Sequence, residues 1–497
     1  MELQFERKPW KYLRRVVWES KDQEQTQEVR LPDGMPDIGS IIGAWGHPLL
    51  RGKEWNNDGI AVSGGIMAWV LYGPADGSSP RMMEIWLPVN MKWNMPDSGK
   101  MGSIRCHWQL KGVDGRVLSA RKLMVRANVS ILAEALEGCE EEISVASQVP
   151  EDVELLQNTY PARLFTEAGE KAFVLDEELQ FSSAEPMPER LIAVSMVPEL
   201  TEQKVLEGKV VFRGNGHFRV LYQDGEGMIR CRRHQATFSQ LSDLDRDHSP
   251  EGQASVWLAM SSLEPEVADG RIRLKCGMVA QYAVSDCMML QLTEDAYSPV
   301  RAVEPQMSQL KLPMILDQRQ EAVSYLCNLD TVGDVVDVFV MAQQPTVRRS
   351  GEACTMSCDG QVQVLYYDEG GRLQGRTGRW SAGWELPTAQ DVELLATMAE
   401  WEEPRVSLGD GQMQVNGTLM LEALAVAQSP MDMVMGLELG EAKRPDPGRP
   451  SLILRRPQSA SLWELAKTTG STVNAIRNAN GLDEEPVGDR LLLIPVI

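Results

Sequence analysis

Histidine and cysteine are the residues of this 497-residue chain that most readily suggest catalysis or metal binding. No histidine has a recognisable partner at the spacing that a metal site or a catalytic base requires. The chain has no HExxH, no GxSxG and no GxxxxGK followed by Ser or Thr, which are common signatures of hydrolases and nucleotide-binding proteins. We therefore predict a protein that is not an enzyme and that uses no cofactor and no metal. The histidines are His47, His107, His217, His234 and His248.

The eight cysteines also lack a pattern that indicates a metal site or a disulfide framework. No two of them form a CxxC pair, and they do not recur at a regular spacing. The nearest pair, Cys354 and Cys358, lies in a strand-like segment, where four residues span roughly 13 Å. Because two ligands of one ion must lie closer together, we interpret the cysteines as small core residues.

Residues 451–497 have the most specific pattern in the chain. Short apolar runs at 452–454 and 491–494 are typical of paired strands, and two amphipathic stretches between them are typical of helices. This pattern predicts a strand, helix, helix, strand order in a small α/β domain.

The first predicted helix has an apolar face, and the residues before it are good N-caps. Leu462, Leu465 and Ala466 share one face at i, i+3 and i+4, and Ser459 or Ser461 can cap the N-terminus. We therefore expect these three apolar side chains to be buried.

Glycine is expected to end both helices, at Gly470 and Gly481, because it readily adopts the left-handed conformation found just past a helix. The second helix should begin at Ser471 or Thr472 and bury Val473 and Ile476.

The tripeptide Val-Leu-Tyr occurs at residues 70–72, 220–222 and 364–366. Each copy ends a run of alternating apolar residues and is followed by a turn sequence with Asp and Gly, as in a hairpin of half-buried strands. A second Asp-Gly pair follows each copy and precedes another strand-like run. Repeats of about 150 residues predict domains with their own cores rather than stacked elements. The second pairs begin at Asp114, Asp269 and Asp410.

Strand-like runs separated by Asp-Gly and Pro predict a mainly β fold. We expect three tandem antiparallel β-sandwich-like repeats, followed by the small α/β (βααβ) domain. The repeats are placed at residues 1–140, 150–290 and 295–440, and the last domain at 451–497. The tripeptides are expected to be strand residues that pack these repeats and to do no chemistry.

The charge of the chain argues against nucleic acid as a partner. It carries 71 acidic and 49 basic residues and a net charge of −22, which repels phosphate backbones and anionic bilayers. No run approaches the roughly 18 apolar residues of a membrane span, and the first 20 residues have scattered charges rather than the apolar core of a secretory signal. We therefore expect no transmembrane segment and a cytosolic protein.

Two short motifs in the repeats point to a known family. Pro-Asp-Ile occurs at residues 36–38 and Asp-Ala-Tyr-Ser at 295–298. With the order of strands and turns, these motifs resemble the SPOCS domains of bacterial spore-coat proteins.

The last 47 residues resemble a LysM domain over their whole length. The matching motifs are Leu-Trp-Glu-Leu-Ala-Lys at 462–467, Asn-Gly-Leu at 480–482 and Gly-Asp-Arg-Leu at 488–491. LysM domains usually bind N-acetylglucosamine polymers in a groove between two loops. The resemblance implies that a partner or a glycan contacts Ser461, Leu462, Trp463, Lys467, Asn480, Gly481 and Leu482.

One departure from the LysM pattern favours a polypeptide ligand. Ser459 and Ala460 replace the Gly-Asp that commonly opens the first loop, so the close backbone approach that glycine permits is lost. Other roles remain open for three of the implied residues. Trp463 can pack in the core, Lys467 can be a solvated lysine, and Asn480 can brace the adjoining loop.

SPOCS-like repeats followed by a LysM-like domain resemble SipL-type spore morphogenetic proteins of endospore-forming clostridia and their relatives. The resemblance implies a non-enzymatic scaffold in the mother-cell cytoplasm, at the forespore outer surface and spore coat, that supports coat assembly and engulfment. Its LysM domain would bind the coat-basement morphogenetic ATPase. The alternative is a protein that binds peptidoglycan strands, and a third reading is a wall hydrolase with an unrecognised catalytic domain.

Overall fold

Antiparallel β-structure dominates the computed structural model of this protein, and the prediction of a mainly β fold is confirmed. No helix within the described ranges is both long enough and apolar enough to cross a bilayer. The described residues are 2–95, 101–145, 149–182, 185–268, 271–401, 403–409, 411–443, 448–457, 460–482 and 490–497.

The first part of the chain forms strands β1 to β7. They span Glu2–Gln4, Glu6–Arg30, Ile38–Asn56, Gly59–Pro74, Arg81–Asn94, Gly102–Ser119 and Lys122–Val145. Strands β3, β4 and β5 pair as a meander, and β6, β7 and β2 form a second sheet in that order. Alternating apolar residues of both sheets, such as Ile66, Val89 and Val129, meet in one hydrophobic core.

The second part repeats this order in strands β8 to β13. They span Glu154–Gln180, Pro188–Leu206, Lys209–Asp224, Ile229–Asp243, Gln253–Ala268 and Arg271–Tyr297. Here β9, β10 and β11 form the meander, β12, β13 and β8 form the second sheet, and Phe212, Phe218 and Leu274 lie in their common core. Strands β2 and β8 pair at Leu13 and Phe165, which joins the second sheets of both parts.

The third part has the same plan with interrupted strands, β14 to β23. They span Arg301–Lys311, Met314–Leu329, Asp334–Ala342, Thr346–Ser350, Ala353–Tyr367, Leu373–Pro387, Val392–Trp401, Arg405–Gly409, Gln412–Ala427 and Pro430–Ala442. Both β16 and β17 pair with β18, which also pairs with β19, whereas β15, β22 and β20 form the second sheet. The breaks contain Pro313, Pro345 and Pro404, which cannot donate a ladder hydrogen bond. Strand β23 lies between β1 and β14.

Each Val-Leu-Tyr tripeptide lies near the end of a middle strand, in β4, β10 and β18. Successive side chains of a strand point to opposite faces, so Val and Tyr face one way and Leu the other. Val70 and Tyr72 accordingly lie in the core of the first part. The middle residues Leu71, Leu221 and Leu365 instead meet in one cluster, the shared cluster, to which all three parts contribute.

The turns predicted after the tripeptides are confirmed. Each contains a glycine with positive φ, namely Gly77 (75°), Gly227 (84°) and Gly371 (71°). In the second turn this glycine is not Gly225, because the Asp224 carboxylate accepts hydrogen bonds from two later backbone N–H groups, at 3.0 and 2.9 Å, and extends the turn.

The second Asp-Gly pairs have a different outcome. Asp114 lies inside β6, and the strand-like run after it continues that strand before β7 begins. Asp269 and Asp410 lie outside the described residues. The boundaries drawn between the repeats stay predictions.

The end of the chain has the order strand, helix, helix, strand. These elements are β24 (Leu452–Arg455), α1 (Leu462–Thr469), α2 (Val473–Asn480) and β25 (Leu492–Pro495), and β24 pairs with β25 antiparallel. We refer to residues 451–497 as the C-terminal module.

Candidate binding site

Local hydrogen bonds fix the ends of both helices in the C-terminal module. The Ser461 hydroxyl accepts from the Glu464 N–H at 3.1 Å, and the Glu464 carboxylate accepts from the Ser461 N–H at 3.0 Å, which is a capping box. The Thr472 side chain caps α2. Gly470 and Gly481 follow the helices with φ of 66° and 59°, so the predicted glycine ends are confirmed.

The apolar face predicted for the first helix is buried. Leu462, Leu465 and Ala466 are at most 2% exposed and pack with Ile476 of α2 and Ile494 of β25. Of the residues implied in binding, Leu462 is therefore part of the core of the module, where its burial stabilises the two helices against the sheet.

Trp463 and Lys467 lie one helical turn apart and contact the same carboxylate. The Trp463 indole N–H donates to Asp295 Oδ2 at 2.8 Å. The Lys467 ammonium donates to Asp295 Oδ1 at 2.8 Å and to Oδ2 at 2.6 Å. Asp295 is near the end of β13, in the Asp-Ala-Tyr-Ser segment. The structure thus brings two residues of the predicted site together on a strand of the second part.

Tyr297 completes this contact. Its ring meets the Trp463 ring edge-on, with centroids 4.7 Å apart, and its hydroxyl donates to the Ser471 carbonyl oxygen at 3.0 Å. Burial raises the pKa of Tyr297, so it remains a neutral donor. Trp463 is only 9% exposed as a result. We call Asp295, Tyr297, Trp463 and Lys467, with their contacts, the clasp.

Asn480 braces the connection between α2 and β25. Its amide group donates to the Leu493 carbonyl at 2.6 Å and to the Ile476 carbonyl at 2.8 Å, and its carbonyl oxygen accepts from the Leu493 N–H at 2.8 Å. These bonds satisfy both backbone groups of one strand residue. Of the two roles considered for Asn480, ligand contact and bracing of the adjoining loop, these contacts correspond to bracing.

The remaining predicted residues lie at the ends of the two helices. Gly481 is exposed and Leu482 is half-buried at the end of α2, whereas Ser461 is exposed at the start of α1. Ser459 and Gly488 of the two loops lie outside the described residues. A role in binding stays a prediction for all of these positions.

A cavity of about 660 Å³ lies between the three parts of the chain. Its walls include His47, His107 and His217, together with Trp45 and Phe339 of the shared cluster. Burial lowers the pKa of His47 to about 3 and that of His107 to about 4, so both imidazoles are neutral at pH 7. Nothing in the sequence pattern indicated that these histidines come close to one cavity.

His248 lies between two carboxylates that come from distant parts of the sequence. Its Nδ1 lies 2.6 Å from Asp286 Oδ2 and its Nε2 lies 3.1 Å from Glu167 Oε2. The imidazole thereby links the loop before β12 to β13 and β8. These partners are 38 and 81 residues away in sequence, so local spacing could not reveal them. Within the described ranges, no group of three His, Cys, Asp or Glu side chains is arranged to hold a metal ion.

A buried ion-pair network joins strands of the first and second parts. Arg105 Nε donates to Glu134 Oε2 at 2.6 Å, Arg15 Nε donates to Glu134 Oε1 at 2.8 Å, and Arg105 Nη1 donates to the Ser255 carbonyl at 2.8 Å. Burial disfavours the Glu134 carboxylate, but the two guanidinium groups outweigh it and hold the pKa of Glu134 below its usual range. The network is structural, because Arg105 and Glu134 are 2% and 0% exposed.

Comparison with families of known proteins identifies the second part. Residues 188–264 match the family model described as SipL, SPOCS domain. The chain contains a SipL-type SPOCS domain. The resemblance to SipL-type proteins is thereby confirmed for this part of the chain. Searches of curated proteins and of solved structures gave no significant match.

The matched segment contributes to the contacts between the three parts. Its residues cover the meander of β9, β10 and β11 and most of β12. Ile192, Leu221 and Ile229 of this meander lie in the shared cluster. The meander β9-β10-β11 is therefore buried on both faces. One face packs against the second sheet of the second part, and the other packs against the first and third parts.

Proposed function

We propose that this protein is a non-enzymatic scaffold of the spore envelope that binds a coat-basement ATPase through its C-terminal module. The SPOCS match over residues 188–264 carries this proposal, because it links the chain to sporulation and to SipL-type proteins. The proposal includes two further SPOCS-type sandwich repeats around β4 and β18 and a LysM domain at residues 451–497. It places the protein in the mother-cell cytoplasm, at the forespore outer surface.

The repeated strand order supports the additional repeats. The meanders β3-β4-β5, β9-β10-β11 and β16/β17-β18-β19 each place a Val-Leu-Tyr tripeptide on the middle strand and a leucine in the shared cluster. Because the shared cluster joins the three repeats, the protein can present several binding surfaces at once. Several weak contacts on a polymerising coat would then act together through high effective concentration.

The contacts of the C-terminal module favour a polypeptide over a glycan as its ligand. Trp463 and Lys467, two of the residues implied in binding, already hold a polypeptide strand through Asp295. The same face therefore has the donors to bind a protein carboxylate, and it needs no acetamide group.

Binding of the full-length chain to the purified ATPase and, separately, to chitin oligomers tests this function. We expect ATPase binding that Lys467→Ala weakens, because the substitution removes a charge-assisted hydrogen bond to the partner. Lys311→Ala, which changes an exposed lysine of β14, is the matched control and should bind as the wild type does. Binding to chitin oligomers without binding to the ATPase would reject the proposal in favour of a peptidoglycan-binding protein.

A further inference from the structure

The clasp is built from two residues that share one face of a strand. Asp295 and Tyr297 are separated by one residue near the end of β13, and alternate residues of a strand point the same way. A β-bulge between Thr293 and Asp295 shifts the register of β13 against β8 just before them. Bulges often re-aim side chains in this manner. The strand therefore presents a carboxylate and an aromatic ring together toward the C-terminal module.

The module offers one complementary group for each feature of this strand. Trp463 and Lys467 donate to both oxygens of the carboxylate, the Trp463 ring receives the tyrosine ring edge-on, and the Ser471 carbonyl accepts from the tyrosine hydroxyl. Charge-assisted bonds of this kind are among the stronger hydrogen bonds in proteins, and edge-on aromatic pairs add to them. The face recognises a short chemical pattern rather than a general apolar surface.

The ion pair of the clasp is accessible to solvent, whereas its two aromatic residues, Tyr297 and Trp463, are 5% and 9% exposed. The side chains of Lys467 and Asp295 are 43% and 23% exposed, whereas those of the buried pair Arg105 and Glu134 are 2% and 0% exposed. Apart from Tyr297, the buried members of the hydrophobic cluster of the module belong to the module itself. Opening the clasp would thus leave the packing between α1, α2 and β25 in place.

Charge does not oppose an acidic ligand at this face. The whole chain has a net charge of −22, but residues 451–497 carry five acidic and five basic side chains. The module is therefore net neutral by this count, and its own charges do not repel a partner carboxylate as the charge of the whole chain would.

We infer that the Trp463 and Lys467 face of the C-terminal module is a binding site for an extended polypeptide segment with an acidic residue at position i and an aromatic residue at i+2, and that Asp295 and Tyr297 occupy it within the chain until such a partner displaces them. The inference rests on the proposed function for the identity of the partner, but the recognition chemistry itself does not. A partner must compete with the clasp, so its apparent affinity is reduced by the fraction of molecules in which the clasp is closed.

A labelled peptide tests the recognition chemistry without any ATPase. The probe is fluorescein-labelled Gln-Leu-Thr-Glu-Asp-Ala-Tyr-Ser, the sequence of residues 291–298, and fluorescence anisotropy reports its binding to the full-length chain. We expect the Asp295→Ala chain to bind it at least about tenfold tighter than the wild type, because the competing carboxylate is then removed from Trp463 and Lys467. Adding Lys467→Ala, or replacing Asp by Ala in the peptide, should abolish binding. Absence of saturable binding to the Asp295→Ala chain would overturn the inference, as would binding that Lys467→Ala leaves unchanged.

Two variants guard against trivial effects on folding. Asp295→Asn is nearly isosteric and removes the charge, so it should bind the peptide between the wild type and Asp295→Ala. Asp317→Ala removes an exposed carboxylate that pairs locally with Arg319 and should match the wild type. Circular dichroism of each variant verifies that the fold is retained.

Affinity for the coat-basement ATPase should change in opposite directions when the two sides of the clasp are substituted. Asp295→Ala should tighten ATPase binding about tenfold, whereas adding Lys467→Ala to that variant should weaken it again about tenfold, because the clasp no longer competes there. If Asp295→Ala weakens binding, or if adding Lys467→Ala leaves it unchanged, the clasp is merely structural and the inference is wrong. If the peptide binds as expected but the ATPase binds no variant, the recognition site stands and the proposed function fails.

Discussion

Truncation of the middle leucine of the second tripeptide, Leu221→Ala, should destabilise the whole protein and not only its SPOCS domain. Leu221 is 1% exposed and lies in the shared cluster with Leu71 and Leu365. Loss of the buried side-chain atoms and the cavity left behind together cost about 2–5 kcal/mol in protein cores. Because the residues around this cavity belong to three meanders, they cannot all move in to fill it. We therefore expect a loss of about 4 kcal/mol in the free energy of unfolding.

A double-mutant cycle separates the shared cluster from the core of a single part. Leu71→Ala and Leu221→Ala both remove atoms from the shared cluster, so their effects should deviate from additivity by about 0.5–3 kcal/mol. Leu274→Ala is the matched control, because Leu274 is fully buried in the core of the second part and outside the shared cluster. Combined with Leu71→Ala, it should be additive to within about 0.5 kcal/mol.

Urea unfolding followed by tryptophan fluorescence and by far-UV circular dichroism measures these effects. Trp45 and Trp69 lie in the shared cluster, and Trp380 lies in the core of the third part, so fluorescence reports on both regions. We expect the two signals to change together in every variant, as in one cooperative unit. The assignment of one shared cluster would be refuted if the effects of Leu71→Ala and Leu221→Ala on the free energy of unfolding were additive. It would also be refuted if Leu221→Ala shifted the unfolding transition in only one of the two signals.

The remaining predictions concern buried charge, pH and the α2 to β25 connection. Glu134→Gln should lower the free energy of unfolding by about 3–5 kcal/mol, because it leaves two guanidinium groups without their counter-charge, and a shift in the urea midpoint near zero would contradict this. Since His47 has a pKa of 6.5 when unfolded and about 3 when folded, the unfolded state binds a proton first as the pH falls. The contribution of His47 to stability, present above pH 6.5, should then decline by about 2 kcal/mol between pH 7 and pH 5. His47→Gln should remove this part of the pH dependence in urea titrations and leave the part that comes from His107. Asn480→Ala should cost about 1–3 kcal/mol because both backbone groups of Leu493 lose their partner, and unchanged hydrogen exchange of the Leu493 amide would argue against bracing.

Features set by neighbouring residues could be predicted from the sequence. The helix ends at Gly470 and Gly481 and the turns after the tripeptides depend on the conformations that a few local residues adopt, and the structure has them where they were expected. The sequence offers Ser459 or Ser461 as the N-cap of α1. Ser461 forms the capping box, because Glu464 lies three residues after it.

Contacts between distant segments could not be predicted in the same way. Lys467 and Asp295 are 172 residues apart, and no periodicity in the sequence relates them. The shared cluster was missed for a different reason. Alternation in a strand indicates that Leu221 faces away from Val220, but only the packing of three meanders shows that this second face is also buried.

The shared cluster and the clasp respond differently to water, and this difference bears on the proposed scaffold. The three tripeptide leucines of the shared cluster are at most 1% exposed, so separating the three parts would expose buried apolar side chains to water. The clasp depends on a partly exposed ion pair, whose strength is screened by salt and limited by competition with water. A partner carboxylate can replace Asp295 because it restores the same hydrogen bonds to Trp463 and Lys467, and an aromatic residue of the partner can cover the Trp463 ring in place of Tyr297. The three β parts can therefore stay together through the shared cluster while the C-terminal module releases β13 and binds a strand of a partner. The two contacts can behave separately because one depends on apolar burial and the other on an ion pair and its hydrogen bonds.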